Sequence, residues 1–182
     1  MSEQCPASPT AYPSDCEVLE GYRTKARERA AQKNDPRYIR ALAKAKDIRL
    51  LLLDVDGVLT DGNLLYSGDS TESKSFNTQD GFGLRLLQEA SVEVGVITAR
   101  KSAVVTRRTA ELKMKYVYQG SPNKTTAFKE ILKVSNLKPY EIAYMGDDWL
   151  DLPLLQQVGL AAAPANGVKE VLEAVHFVTE QS

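Results

Sequence analysis

Five short apolar runs, Leu50–Leu53, 92–97, Tyr116–Tyr118, Ile142–Met145 and 159–162, recur along the chain with stretches of helical length between them. Each run is continuously apolar and not alternating, the pattern of strands covered on both faces in a parallel sheet. The intervening stretches read as helices at 83–90, 101–112, 122–135, 152–157 and 168–174, and 175–178 as a final edge strand. The expected architecture is α/β, a Rossmann-like parallel sheet with helices on both faces. Ser121-Pro122 reads as a helix start, with serine as cap and proline at the first helical position. Between Gly62 and Asn77, two short arms around Ser67-Gly68-Asp69 predict a β-hairpin insertion at about 62–76.

The 182 residues, 43% apolar and 26% charged, suffice for one core. The core domain is expected at 47–182, behind an N-terminal extension, 1–46: a proline-containing leader of low burial to about residue 16, then two helices broken at Asn34-Asp35-Pro36. With 24 acidic and 23 basic residues, no whole-chain field attracts nucleic acid or an anionic membrane. Five basic residues between Arg23 and Lys33 read as a solvated helix face. No apolar run approaches the ~20 residues of a membrane span, and the start lacks the pattern of a signal peptide, so a cytoplasmic location is expected. Cys5 and Cys16 have no histidine or second cysteine pair nearby to complete a zinc site and read as free thiols.

Chemistry concentrates where the apolar runs end. The first is followed by Asp54-Val55-Asp56-Gly57, which puts two carboxylates at the carboxyl edge of the sheet, where open α/β folds bind ligands. Such a pair can divide phosphoryl transfer: Asp54 attacks phosphorus, while Asp56 protonates the leaving alcohol and then activates water. Two carboxylates repel a phosphate dianion unless a hard cation intervenes, which calls for Mg²⁺ and a further carboxylate. Gly146-Asp147-Asp148, after another apolar run, supplies Asp147, giving Asp54, Asp56 and Asp147 as candidate metal ligands. Thr98 at a third strand end and Lys124 in a helical first turn are candidate phosphate binders. A calcium loop is disfavoured, because glycine falls at the fourth position from Asp54 and leucine at the twelfth. Gly81-Phe82-Gly83 lacks the third glycine of a dinucleotide fingerprint, and no phosphate loop of the Gly-Lys-Ser/Thr kind occurs. The single histidine, His176, reads as an edge or packing residue.

Asp54-Val55-Asp56-Gly57, Thr98, Lys124 and Gly146-Asp147-Asp148 together resemble, in chain order, the four motifs of the haloacid dehalogenase superfamily of phosphohydrolases. The 42 positions from Asp56 to Thr98 hold a hairpin, a helix and a strand, with no room for a cap domain. An open site of this kind suits a large substrate or a lid from a second subunit. From about Ile48 onward the sequence is similar to the capless 3-deoxy-D-manno-octulosonate 8-phosphate phosphatases, and the stretch from Lys74 to Gly83 resembles that family's substrate loop. The resemblance implies substrate contacts from Asp56, Asn77, Thr78, Gln79, Asp80, Gly81, Arg85, Arg100, Arg108, Lys124 and Asp148, with Asp151 orienting the loop or capping the following helix. It further implies a homotetramer in which each site is completed by the neighbouring hairpin. The family continues into a glycine-rich tail with an arginine where this chain reaches Ser182, so weakened closure is expected. A sialic-type 9-phosphate phosphatase and a non-catalytic interaction module are the alternatives, and a phosphomutase ranks behind both.

Overall fold

The computed structural model describes residues 35–68 and 72–180, together with single positions at 17, 20, 21 and 24. The expected leader, both cysteines, nearly all of the first expected helix with its basic face, and the turn at 69–71 lie outside the described residues. Contacts group the chain into 1–39 and 40–182. At the end of the first unit the Asp35 carboxylate accepts from the Arg37 amide at 2.7 Å. Pro36 opens helix α1 (Pro36–Ala45) there, a position where its missing donor costs nothing.

The second unit holds a parallel sheet of β1 (Leu50–Leu53), β4 (Glu93–Ile97), β5 (Tyr116–Tyr118), β6 (Ile142–Met145), β7 (Leu160–Ala163) and β8 (Phe177–Val178). Its order is β5-β4-β1-β6-β7-β8. The helices are α2 (Thr78–Glu89), α3 (Ala103–Glu111), α4 (Lys124–Ser135), α5 (Leu152–Leu155) and α6 (Lys169–Ala174). From central β1 the chain builds β4 and β5 on one side, then crosses to β6 on the other, so β1 lies at the topological switch point.

Alternate strand residues feed two cores. Leu50, Leu52, Ile97 and Tyr144 pack with Phe128 and Ile131 of α4 and Leu154 of α5. Leu53, Val94 and Val96 pack with Leu84 of α2 and Val105 of α3. Burial on both faces is why the strand sequences carry no alternation.

Three boundaries differ from expectation for local reasons. Helix α2 begins at Thr78 and not near 83, because the Asn77 side chain caps it, accepting from the Gln79 amide at 2.8 Å; the glycines at 81 and 83 lower the apparent propensity of a real first turn. Helix α4 begins at Lys124, capped by the Asn123 side chain, which accepts from the Thr126 amide at 3.3 Å; Ser121 stands two positions before that cap, its N–H donating to the Thr98 carbonyl at 3.0 Å. The stretch expected as helix 152–157 is the single turn α5, preceded by a 3₁₀ turn over Trp149–Asp151. The hairpin is present but short: β2 (Leu65–Tyr66) and β3 (Glu72–Ser73) pair Leu65 with Ser73 and Tyr66 with Glu72. Among the described residues no helix is long and apolar enough to cross a membrane.

Phe128 is 1% exposed between α4 and the sheet, whereas Val134 on the same helix is 69% exposed. Phe128→Ala is expected to cost about 3–5 kcal/mol in urea unfolding followed by circular dichroism, and Val134→Ala less than about 0.5 kcal/mol.

Candidate active site

In-register pairing of Leu53 with Met145 makes Asp54 and Gly146 leave the sheet side by side, and the Asp54 amide still donates to the Met145 carbonyl at 2.9 Å. Asp54 is buried; its Oδ1 accepts from the Val55 amide at 2.7 Å. Its Oδ2 lies 2.7 Å from Nζ of Lys124, which is itself 3% exposed in the first turn of α4. An ammonium at a helix start adds to the dipole already there, and so joins two groups from 70 positions apart in the chain.

The third strand end supplies more carboxylates. Oxygens of Asp54, Asp147 and Asp151 lie within 4.8 Å of one another. They are not equivalent. Asp151 is fully buried; its Oδ1 accepts from Lys124 at 2.6 Å and from the Tyr144 hydroxyl, and its Oδ2 from the amides of Asp147 at 3.0 Å and Asp148 at 3.1 Å. With every oxygen engaged, Asp151 orients the loop; it gives α5 no side-chain cap. Asp147 is the reverse case: its Oδ1 is buried without a hydrogen-bond partner among the described residues. A buried carboxylate oxygen left bare beside a second carboxylate fits a hard divalent cation. Gly57, at φ +90°, closes over it; a Cβ there would stand 1.9 Å from the Asp147 Oδ2. Asn166 holds that turn, donating to the Gly57 carbonyl at 3.1 Å.

The Asp56 carboxylate, expected among the metal ligands, stands outside this cluster. It pairs with the Nζ of Lys74, whose side chain is 1% exposed, and lies 3.8 Å from the Arg100 Nε. Lys74 and Arg100 also reach Glu72 at 3.5 and 3.2 Å, and Arg100 donates to the Tyr66 hydroxyl at 2.9 Å. The hairpin is thereby fastened to Asp56.

Thr98 is buried at the same edge, one strand over, its amide donating to the Tyr118 carbonyl at 2.9 Å. Asn77 to Gly81 form the cap and first turn of α2, and Arg108 donates to the Asn77 carbonyl at 3.3 Å while lying 5.7 Å above the Phe76 ring. Asn77 and Asp80 line a cleft of about 400 Å³ with Val58, Thr60, Asp61 and Asn166. Arg85 lies on an exposed helix face, 4.0 Å from Glu89, and is not brought to the carboxylates. Asp148 turns its Oδ1 to the Trp149 amide at 2.7 Å, starting the 3₁₀ turn. His176 accepts at Nδ1 from the Ala161 amide at 2.9 Å, an edge-strand role. Sequence reasoning gave Lys74 no role beyond its place in the Lys74–Gly83 stretch and gave Tyr144 none; the available signal for Tyr144 was a hydroxyl inside the otherwise apolar run Ile142–Met145.

Burial pushes the Asp54 carboxyl up to about 6 against the pull of Lys124. Burial, then Asp54 and Asp151, push Asp147 up to about 7. Both values lie above those of an unfolded chain, so these groups weaken the cation-free fold as pH rises through about 6 to 7. A bound cation reverses this, and binding requires the carboxylates ionised. The rise in thermal midpoint produced by Mg²⁺ is therefore expected to be larger at pH 8 than at pH 5 in calorimetry, and an equal rise at both would contradict the assignment. Gly57→Ala should abolish that rise at either pH.

Residues 101–182 match the family model for haloacid dehalogenase-like hydrolases. The chain is 41% identical over 138 residues to the 3-deoxy-D-manno-octulosonate 8-phosphate phosphatase KdsC of Escherichia coli, covering 76% of this chain and 73% of that protein. The crystal structure of the Yersinia pestis phosphatase of the same name superposes with a TM-score of 0.77 at 37% identity, covering 78% of this chain and 77% of that one. The Moraxella catarrhalis phosphatase, solved with magnesium ion, phosphate ion and a KDO molecule, gives 0.75 at 36% identity over 77% of this chain and 80% of that one. With a switch-point carboxylate cluster and relatives of this identity over most of its length, the chain belongs to the 3-deoxy-D-manno-octulosonate 8-phosphate phosphatase family of haloacid dehalogenase-like hydrolases.

Proposed function

We propose that this magnesium-dependent phosphomonoesterase hydrolyses 3-deoxy-D-manno-octulosonate 8-phosphate to the free sugar acid and phosphate, a step of lipopolysaccharide biosynthesis. The observation that carries the chemistry is the buried Asp54 carboxylate, 2.7 Å from Lys124 and beside the bare oxygen of Asp147. In this reading an Asp54 oxygen attacks phosphorus as the bond to the sugar oxygen breaks, and Asp56 gives that oxygen its proton. Asp56 then takes a proton from water; the resulting oxygen attacks phosphorus and the bond to Asp54 breaks, restoring the carboxylate. Lys124 and the Thr98 hydroxyl stabilise charge on the phosphoryl oxygens. Mg²⁺, held by Asp54, Asp147 and the main-chain oxygen of Asp56, would neutralise charge between the carboxylates and the phosphate.

The substrate reading rests on the relatives, which are phosphatases of that sugar phosphate. Asn77, Thr78, Gln79, Asp80 and Gly81 are proposed to contact the sugar beside the 400 Å³ cleft. Arg85, Arg100, Arg108 and Asp148 complete the proposed contact set, the arginines offering forks to carboxylate and phosphate. A homotetramer is supported by the apolar side chains the hairpin shows to solvent, Leu64, Leu65 and Tyr66, between 43% and 60% exposed. Each site would then be completed by a neighbour. A cytoplasmic location is part of the same reading.

Phosphate release from 3-deoxy-D-manno-octulosonate 8-phosphate is expected to require Mg²⁺, to stop with a chelator, and to fall at least ~10³-fold in Asp54→Asn. Its kcat/KM should exceed that for a nine-carbon sialic-type 9-phosphate and for p-nitrophenyl phosphate at least tenfold. Equal turnover of all three would remove the substrate assignment and leave the phosphatase chemistry standing.

A further inference from the structure

Lys124 is held by three groups, not two. Besides Asp54 at 2.7 Å and Asp151 at 2.6 Å, its Nζ reaches the hydroxyl of Tyr144 at 3.1 Å. Tyr144 is fully buried in β6, on the sheet face that α4 covers, and its hydroxyl donates to Asp151 Oδ1. An ammonium only donates and a carboxylate only accepts; a phenol does both. The Tyr144 hydroxyl therefore accepts from Lys124 while donating to the same Asp151 oxygen that Lys124 reaches directly.

Two carboxylates leave Nζ an arc along which both contacts persist, whereas a third anchor off that arc reduces it to a point. All three ammonium protons then have acceptors at a residue only 3% exposed, where an unmatched donor is costly, and it is the fixed charge of Lys124 that acts on the phosphoryl oxygens. Burial, with Asp151 next, holds the Tyr144 phenol well above its ordinary pKa, so it stays a donor at any working pH.

We propose that Tyr144 is a positioning residue for phosphoryl transfer, its hydroxyl fixing the Lys124 ammonium against Asp54. The proposal rests on the reading of Lys124 as the phosphoryl-stabilising cation. It concerns charge that develops in transfer and not the initial capture of phosphate, so its effect falls on kcat and on mimics of the five-coordinate phosphorus.

The test uses the full chain loaded with Mg²⁺. Tyr144→Phe is expected to lower kcat about 10–100-fold, to change KM less than twofold, and to weaken orthovanadate inhibition about tenfold while inorganic phosphate inhibition changes less than twofold. In a Lys124→Met background the same substitution should cause no further loss, because the hydroxyl has no ammonium to place. A kcat of Tyr144→Phe within twofold of the parent, or losses that multiply in the double variant, would overturn the proposal. Asp151→Asn takes the carboxylate from both Tyr144 and Lys124 and serves if Tyr144→Phe does not fold; unchanged vanadate inhibition there has the same meaning. Full activity in Lys124→Met would instead remove the underlying reading of the site.

Discussion

An ammonium buried between buried carboxylates is the interaction on which this molecule depends. Taking each such ion from water costs several kcal/mol, and attraction offsets that only with good geometry and further hydrogen bonds. Lys124 and Asp151 meet the condition with every polar atom bonded. Asp147 does not: its Oδ1 has no partner among the described residues, the count is three carboxylates against one ammonium, and burial has driven Asp147 to about 7. The imbalance is what makes the site a cation receptor. A fold that neutralised it internally would have no call for a metal.

The sheet makes that arrangement available. Pairing β1 with β6 in register delivers Asp54 and Gly146 to one edge, and the switch in strand order opens the space beside them. The hairpin is fastened through its Lys74 to Asp56, and through its Glu72 and Tyr66 to Arg100. The group proposed to move protons is thus in electrical contact with the element proposed to reach a neighbour, so recognition and proton transfer share one set of charges.

Much of this was legible in the sequence. Continuous apolar runs announce strands buried on two faces, and a carboxylate just past such a run has only the sheet edge to occupy; that reasoning places Asp54 and Asp147 together. Lys124 follows because a helix covering the sheet begins at the same edge. The start of α2 was hidden because two glycines mask a turn that the Asn77 cap sets. Tyr144 and Lys74 were hidden for another reason: their partners lie 20, 7 and 18 positions away, at Lys124, Asp151 and Asp56. No local period encodes those pairs. Nor does sequence show that Asp56 points its carboxylate at the hairpin, since backbone pattern fixes where a residue stands and its neighbours fix where its side chain turns.

The amides of Asp147 and Asp148 both donate to a single oxygen of Asp151. The loop that carries Asp147 is held at that one carboxylate oxygen as well as through the Asp147 carbonyl, which accepts from the Val168 amide at 2.8 Å, and the same Asp151 side chain's other oxygen holds Lys124. Opening the loop means giving up both amide bonds together, so their deuterium uptake reports on the assembly of the whole site. Two backbone protons become a built-in gauge of readiness, readable with no sugar phosphate in the tube.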